Sequence, residues 1–494
     1  MTYSSEVNNL MQKVYSQITL QDNIDRKREM KKRIDYYNGE QDIYLKNLLD
    51  VQFKRPDRLR LQREFFNVTK SIIDEIAVIY SQPPLRELVD CTEKDKELFQ
   101  KISEESQLDI VLDTVNKMTK LCKVVLVRPV VRELGKLEFD IITPDLFDVV
   151  QNMANPTKAD AIIYNSEVKD SILIPQIMQT DDIYKRGKSK TKIVSTVSRD
   201  YMGQVIYYYW DSSKHFIFDG NGVPLKNGEN TEAINPYGEI PFIPFRDNYA
   251  ISKYFDMSGK ELIATNEIIN VKLTELNYLT KMQAFSQPVR KGAGKDMDFV
   301  LDPSMCLDLP ADDEGSKGIG FEFVTPEARI DELLKDIEKR MQRISMQHKL
   351  NPEMFKLSGD RSSGFSIQMQ NHQLNKQINR DKPYYRAYEK QLFNIIKTVW
   401  NYEDGEKFSE NCKLKVDYED VGAPTSLQET DNHNVILLQN GIITRAEWLI
   451  RANPDIGTME EAEKRIKEID EEKKKETQEE ISNEAKKTVI KNMI

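Results

Sequence analysis

The sequence is poor in the residues that most often build metal and redox sites. It has four histidines and four cysteines in 494 residues, and Cys91, Cys122, Cys306 and Cys412 are far apart in the chain. It has no CxxC pair, HExxH motif or paired histidines. We therefore expect reduced, structural cysteines, no metal site and no cofactor.

Long apolar runs are also missing. No stretch approaches the roughly 20 apolar residues that a membrane helix needs. Residues 1–15 lack the apolar core of a signal peptide. The sequence predicts a soluble protein that is made in a reducing compartment and makes no membrane contact.

A basic excess is the third absence. The formal net charge is −10, with 31% charged and 39% hydrophobic residues. This balance disfavours a simple nucleic-acid binder but not a protein that encloses DNA without gripping it. The basic stretches at 54–63 and 185–192 are interpreted as solvated faces, with transient nucleic-acid contact as the alternative. The length predicts two to four domains.

No catalytic motif is complete. The stretch "RKGAGKDMD" lacks P-loop spacing and has Asp296 in place of Ser or Thr. The carboxylates of "PADDEGSK", among them Asp312, lack a flanking apolar strand and indicate a solvated turn. His348 lies at the end of a helical stripe, so packing or helix termination is favoured over ligation. We expect no enzyme; a metal-dependent nuclease using the "PADDEGSK" carboxylates is the lesser alternative.

Residues 1–250 have the pattern of a mixed α+β domain, with helices first and then an antiparallel sheet. Residues 4–36 are predicted to be helical, ending at Asn38-Gly39. Asn67 is the expected N-cap of a helix whose apolar spacing extends to Tyr80. Residues 95–120 are expected to form another helix. Predicted strands cover 123–131, 136–142, 159–166 and 204–210. The proline-rich stretch 235–248 is expected to be an extended connector.

Long helices dominate the second half. Ser258 and Glu261 match a capping box, which opens a helix of roughly 40 Å. A second long helix is predicted from Thr325, with Pro326 at its first position. A small β insert separates the two, and it includes "GFEFV" at 320–324. The residues expected to pack these helices are Leu273, Leu276, Ile330, Leu334, Ile337 and Met341.

A polar break, "LSGDRSSG", then precedes a third helix that contains Pro383, where we expect a kink. One copy of the chain cannot cover all faces of such helices. The pattern therefore favours an oligomer, specifically a symmetric ring.

Together these features resemble the portal proteins of tailed double-stranded-DNA bacteriophages, in the type common in phages of Gram-positive bacteria. The similarity spans roughly residues 25–470 and depends on the order of several motifs. These are "YYNGEQDI", "NVTKSIIDEIAVIYSQPP", "YGEIPFIPFRDN", "SSGFSIQMQNHQLNKQI" and "NGIITRAEWLIRANPDIGTMEEAEKRIKEI".

The resemblance implies a mainly helical α+β portal fold with wing, stem, clip and crown, assembling into a ring. Carried onto this sequence by position, the segments are the wing at 1–257, a stem helix at 258–285, the clip at 286–324, a second stem helix at 325–350, the tunnel loop at 351–363, the long kinked helix with a return strand of the wing at 364–426, and the crown with a charged tail at 427–494.

The resemblance also implies a dodecamer at one capsid vertex of the virion, assembled in the host bacterial cytoplasm. Its implied partners are the double-stranded DNA that it passes, the terminase packaging motor, the major capsid and scaffolding proteins, and head-completion, neck or tail proteins. A ring-forming structural adaptor without DNA passage is the alternative. The tunnel-loop residues are Lys356, Ser358, Gly359, Asp360, Arg361, Ser362, Ser363 and Gly364, and the candidate DNA contacts are Lys349, Lys356 and Arg361.

Overall fold

The computed structural model shows a mainly helical α+β protein with small antiparallel sheets. Contacts divide the chain into two compact units, Met1–Asp420 and Val421–Ile494. The structure describes residues 5–53, 61–133, 135–155, 157–167, 205–225, 232–249, 253–284, 287–291, 320–324, 329–355, 364–403, 407–418, 435–438, 444–452 and 462–470.

The chain begins with four short helices. They are α1 (Ser5–Ile18), α2 (Gln21–Asn38), α3 (Asp42–Gln52) and α4 (Val68–Ile76). Gly39 ends α2 in the left-handed conformation, at φ 86°, and the Asn67 side chain accepts from the Lys70 amide, so both predicted caps are confirmed. The single predicted helix over 4–36 is wrong, because the chain breaks at Thr19 and Leu20.

The predicted helix from Asn67 to Tyr80 is too long. It stops at Ile76, and Ile79 and Tyr80 reach the core from the turn that follows. These two side chains are apolar because they are buried in the core, and their spacing therefore resembles that of a helix although their backbone is not helical.

The predicted helix over 95–120 is two helices, α5 (Glu93–Glu105) and α6 (Leu108–Cys122). Gln107 separates them in a left-handed conformation, at φ 52°. Thr92 and Asp95 form a capping box at the start of α5, with reciprocal backbone hydrogen bonds.

The sheets are antiparallel at every strand pair in the described ranges. A three-stranded sheet has the order β3-β2-β9, and a five-stranded sheet has the order β4 to β8. The strands are β2 (Val124–Glu133), β3 (Lys136–Ile142), β4 (Phe147–Gln151), β5 (Ala159–Glu167), β6 (Val205–Asp211), β7 (His215–Asp219), β8 (Pro224–Leu225) and β9 (Ile243–Arg246).

Prolines in the strands lie at positions where no backbone N–H is needed for a hydrogen bond to a neighbouring strand. Pro244 lies in β9, which forms the edge of its sheet opposite Leu126. Part of the predicted connector at 235–248 is thus an edge strand. Pro129 of β2 pairs with Phe139, but β9 extends only along Val124–Val127, so that side of Pro129 needs no donor.

The core of the five-stranded sheet holds a buried histidine. The His215 ring stacks on Trp210 with a centroid separation of 3.6 Å, and its Nδ1 lies 3.0 Å from the Tyr209 carbonyl oxygen. Burial lowers the pKa of His215 to about 3, so the ring is neutral at physiological pH.

Strand β1 (Leu85–Val89) pairs with β12 (Lys413–Asp417), from the other end of the compact unit. Leu414 and Val416, on the buried face of β12, join the largest apolar cluster. Helices α5 and α6 and the long helix Gly364–Glu403 also contribute to this cluster. The pairing of β1 with β12 was not predicted, because partners so distant leave no local pattern.

The long helices are α7 (Lys260–Ala284), α8 (Ile330–Gln347) and α9 (Gly364–Glu403). Strands β10 (Gln287–Lys291) and β11 (Gly320–Val324) lie between α7 and α8 and pair with each other. The strand predicted at 320–324 is confirmed. A 3-10 turn, Pro352–Phe355, follows α8.

The predicted start of α7 is wrong. Helix α7 begins after Gly259, at φ 86°, and Glu261 accepts from Gln347 instead of capping Ser258. Helix α8 is described from Ile330, with the non-helical Arg329 as its N-cap, and the predicted start at Thr325 lies outside the described residues. Pro383 lies inside α9 on its exposed side, and the expected kink stays a prediction.

The second unit contains helix α10 (Arg445–Ala452) and helical turns at 435–438 and 462–470. The Arg445 guanidinium forms a bidentate pair with Asp470, at 2.9 and 3.0 Å, which links the last two of these helices. In the described ranges, no helix of either unit is long and apolar enough to span a membrane.

Candidate channel and assembly segments

Helices α7 and α8 lie side by side in opposite directions. Glu261 at the start of α7 accepts a hydrogen bond from Gln347 at the end of α8, at 2.9 Å. Further along, Lys272 of α7 pairs with Asp336 of α8 at 3.0 Å. The two contacts fix the register of an antiparallel helix pair whose far ends lead into β10 and β11.

The structure brings four of the six predicted packing residues into one apolar cluster. Ile337 and Met341 are buried, and Leu273 and Leu276 pack against them. The other two, Ile330 and Leu334, are not in this cluster, and Leu333 packs there instead. Leu334 is 39% exposed in the single chain, so its packing role stays a prediction for a surface outside this subunit.

The predicted tunnel loop, residues 351–363, is described only over 351–355, which include the 3-10 turn. Seven of the named tunnel-loop residues lie outside the described residues: Lys356, Ser358, Gly359, Asp360, Arg361, Ser362 and Ser363. Gly364 is the first residue of α9.

Lys349 occupies a strained position just after α8. Its φ of 61° is left-handed, a conformation that glycine usually takes at this place. The Lys349 amide donates to the Met346 carbonyl, and the Leu350 amide donates to the Ser345 carbonyl at 2.9 Å. These bonds form a Schellman-type helix end, with buried Leu350 as its apolar anchor.

The Lys349 ammonium begins a chain of polar contacts that leads into the protein. It donates to Gln377 of α9, whose amide donates to Asp381 at 2.9 Å. Lys120 of α6 contacts Asp381 at 2.5 Å and Asp247 at 2.7 Å. We call the linked side chains of Lys349, Gln377, Asp381, Lys120, Asp247 and Lys123 the polar relay.

Charge pairing dominates the buried end of the polar relay. Lys123 contributes a second contact to Asp247, at 2.8 Å. Burial alone would raise the pKa of Asp247, but Lys123 and Lys120 outweigh it and hold that pKa below its usual range. Burial and the neighbouring Asp247 raise the pKa of Asp381. The relay thus ties α6, the residue after β9, α9 and the end of α8 to one another.

A second set of polar contacts holds an extended segment on α7. Asn266, Asn270 and Thr274 are fully buried on one face, spaced by four residues. Asn270 accepts from the Phe66 amide at 2.9 Å, and Thr274 accepts from the Glu64 amide at 3.2 Å. We call residues 61–67 the strap. Side chains of α7 form hydrogen bonds with the backbone of the strap, as the backbone of a neighbouring strand would in a sheet.

Asn266 completes the strap contacts. Its amide donates to the Phe66 carbonyl at 2.9 Å, and its carbonyl accepts from the Thr69 amide at 2.9 Å. These residues were not among those predicted from the sequence. Their signal was present, because three polar side chains recur every fourth residue within an apolar helix face.

The other residues considered as possible ligands or nucleic-acid contacts either have a structural role or lie outside the described residues. His348 ends α8 as its C-cap, half-buried, and burial together with nearby Lys123 lowers its pKa to about 4. Arg63 of the basic stretch 54–63 pairs with Asp42. The stretch 185–192, Asp296 and the "PADDEGSK" carboxylates lie outside the described residues. Among described side chains, no three His, Cys, Asp or Glu residues converge as metal ligands.

Comparison with known proteins gives one family match. The family described as "Phage portal protein, SPP1 Gp6-like" matches residues 17–479. No curated protein matches the chain.

Two of the solved structures that match this chain are the following. One is the neck of an empty GTA particle computed with C6 symmetry, at 10% identity and a TM-score of 0.45, with 79% of this chain and 91% of that chain covered. The other is the virion of a native gene transfer agent particle, at 11% identity and a TM-score of 0.38, with 78% and 88% covered.

Proposed function

The chain belongs to the phage portal protein family of the SPP1 Gp6-like type, and on that premise we propose that it forms a dodecameric ring at one capsid vertex. The ring would pass double-stranded DNA inward during packaging and outward during ejection. The family match over residues 17–479 is the observation that carries this proposal. As a member of this family, the chain is a structural protein and not an enzyme.

The segments take the following roles in the proposal. Helices α7 and α8 form the stem around the channel, and residues 286–324, with β10 and β11, form the clip that meets the terminase motor and head-completion proteins. Residues 1–257 and 364–426 form the wing, and residues 427–494 form the crown. The antiparallel register of α7 and α8, set by Glu261–Gln347 and Lys272–Asp336, supports the stem assignment.

The exposed surface of the stem pair supports assembly with further copies. Leu334 and Met346 of α8 and Ile268 of α7 remain exposed in the single chain. Charged side chains surround them on α8, among them Lys335, Lys339 and Arg343. Apolar side chains within a charged face suit one side of the repeated head-to-tail contact from which a closed ring is built.

A DNA channel must attract the duplex only weakly, because phosphate contacts are strong and depend on salt. The net charge of −10 per subunit fits a channel that does not trap DNA. We propose that Lys349, Lys356 and Arg361 supply a few guiding charges near the tunnel loop at 351–363. Lys349 lies two residues after the end of α8 and two residues before this loop begins.

Electron microscopy of the purified full chain tests the ring. We expect closed rings with a central channel, and particle masses that are multiples of the 57.5 kDa subunit. A strictly monomeric chain at all concentrations would overturn the proposal. Rings that assemble into capsids yet play no part in DNA entry would favour the structural adaptor.

The DNA role is tested by replacing residues 357–363 with a Gly-Ser segment of equal length, beside a deletion of the same residues. We expect both variants to form rings and both to impair DNA packaging or retention. The equal-length variant is the control for connector length. Normal packaging by both variants would contradict the tunnel-loop assignment.

A further inference from the structure

Cys91 and Cys412 lie at the same end of the β1–β12 ladder. The last paired residues there are Val89 of β1 and Lys413 of β12. Cys91 follows β1 closely and precedes the Thr92 cap of α5, while Cys412 directly precedes β12. Two cysteines that are far apart in sequence are thus neighbours in the fold.

Other bonds hold both segments in place. The Asp95 carboxylate accepts from the Thr92 amide at 2.8 Å and from the Ser409 amide and hydroxyl at 3.0 and 2.7 Å. Lys397 of α9 donates to the Cys412 carbonyl at 2.7 Å. The two thiols are therefore positioned by their surroundings.

Both thiols pack at the same apolar cluster but differ in access. Cys412 is fully buried in the largest apolar cluster, and Cys91 is half-buried and packs against that cluster. Burial, and then the nearby Cys91 thiol, raise the pKa of Cys412 to about 12. An incoming reagent meets Cys91 first, with Cys412 behind it.

We propose that Cys91 and Cys412 form a reversible disulfide, with a small-molecule disulfide such as oxidised glutathione as the oxidant. The Cys91 thiolate attacks one glutathione sulfur, breaks that S–S bond and releases one glutathione thiolate. The Cys412 thiol then loses its proton to water and attacks the mixed disulfide at Cys91 Sγ, which releases the second glutathione. Two protein thiols are oxidised, and one glutathione disulfide is reduced to two thiols.

The other cysteine that the structure describes does not compete for this reaction. Cys122 is fully buried at the end of α6, and burial raises its pKa to about 12. The proposed bond closes a loop from residue 91 to residue 412, so it would restrict the unfolded chain over most of the first compact unit. The inference does not depend on the proposed channel function.

The test is disulfide mapping of the full-length protein equilibrated with mixtures of reduced and oxidised glutathione. Free thiols are alkylated under denaturing conditions, and peptides are identified by mass spectrometry. We expect a Cys91–Cys412 linked peptide, lost on reduction. We also expect the thermal midpoint of the oxidised form to rise by about 5–10 °C over that of the reduced form.

Two variants complete the test. In Cys91→Ser the linked peptide and the rise in thermal midpoint should both vanish, while the matched Cys306→Ser variant should retain both. Free Cys91 and Cys412 at every glutathione ratio, in a wild-type protein that is shown to be folded, would overturn the proposal. So would a linkage of Cys91 to Cys306 in place of Cys412.

Discussion

The Lys120 ammonium of α6 lies 2.5 Å from the Asp381 carboxylate of α9, and the same nitrogen lies 2.7 Å from Asp247. Lys120 thus pairs with two buried carboxylates that would otherwise repel each other, and Lys123 also pairs with one of them, Asp247. Removal of one partner from a buried ion pair leaves an uncompensated charge, which costs more than the pair itself contributes.

Lys120→Met should therefore lower the free energy of unfolding by about 3–5 kcal/mol, as measured by urea denaturation. The control is Lys117→Met on the same helix, because Lys117 makes only a part-exposed pair with Asp113. We expect that control to change the free energy of unfolding by less than about 0.5 kcal/mol. Equal effects would mean that the buried contact with Asp381 is not what stabilises the fold.

Leu334 and Ile337 separate two kinds of packing on α8. Ile337 is buried in its own chain, so Ile337→Ala should lower the free energy of unfolding by about 2–4 kcal/mol. Leu334→Ala should leave the monomer within about 0.5 kcal/mol but weaken ring assembly, measured by sedimentation against concentration. Rings of unchanged stability in Leu334→Ala would remove Leu334 from the proposed interface.

The strap should loosen when its helix contacts are removed. Asn270→Ala leaves the part-buried Phe66 amide without its acceptor, which costs about 1 kcal/mol locally. Chymotrypsin should then cut after Phe65 and Phe66 faster than in the wild type, with fragments identified by mass. Thr280→Ala serves as control, since Thr280 bonds only to its own helix; similar cleavage in both variants would contradict the strap assignment.

His215 gives a pH dependence of defined sign. Its folded pKa of about 3 lies below its ordinary value of 6.5, so only the unfolded chain binds a proton between these values. The contribution to stability is therefore complete above pH 6.5 and falls as the pH drops towards 3, by up to about 1.4 kcal/mol per pH unit. Unfolding free energies measured from pH 7 to 4 should show a shallower slope in His215→Phe, and parallel slopes would refute this.

Lys349 and Lys339 should respond in opposite ways to glycine and alanine. At Lys349 the left-handed backbone favours glycine, so Lys349→Gly should be more stable than Lys349→Ala by about 1 kcal/mol. Inside α8, the free energy of unfolding of Lys339→Ala should exceed that of Lys339→Gly by about 1 kcal/mol. Thermal or urea unfolding of the four variants measures both differences; the same sign at both sites would show that the helix end is not left-handed in solution.

Local patterns in the sequence correctly predicted several helix ends and strands. The Gly39 and Asn67 caps, most strands of the sheets and the β11 strand follow from turn chemistry and alternation over a few residues. The breaks at Leu20 and Gln107 were missed, because periodicity continues across a brief interruption when both sides face one core. The β1 strand was missed for a different reason, since its partner is more distant than any local pattern reaches.

The candidate site was less predictable than the fold. Buried apolar positions such as Ile337 and Met341 follow from helical spacing. Lys349 was selected for its charge, but neither its left-handed backbone nor its contact with Gln377 has a sequence signature. The polar relay joins four separate segments, so only the assembled fold brings its charges together.

The pairing of β1 with β12 also determines when this protein can fold during synthesis. Leu414, Val416 and Tyr418 complete the largest apolar cluster, and they leave the ribosome after more than four-fifths of the chain has been made. Until then the partners of β12 on α5, α6 and α9 expose apolar surface to solvent. Prematurely terminated chains that end before residue 413 are therefore expected to aggregate or be degraded, which would keep incomplete subunits out of the proposed ring.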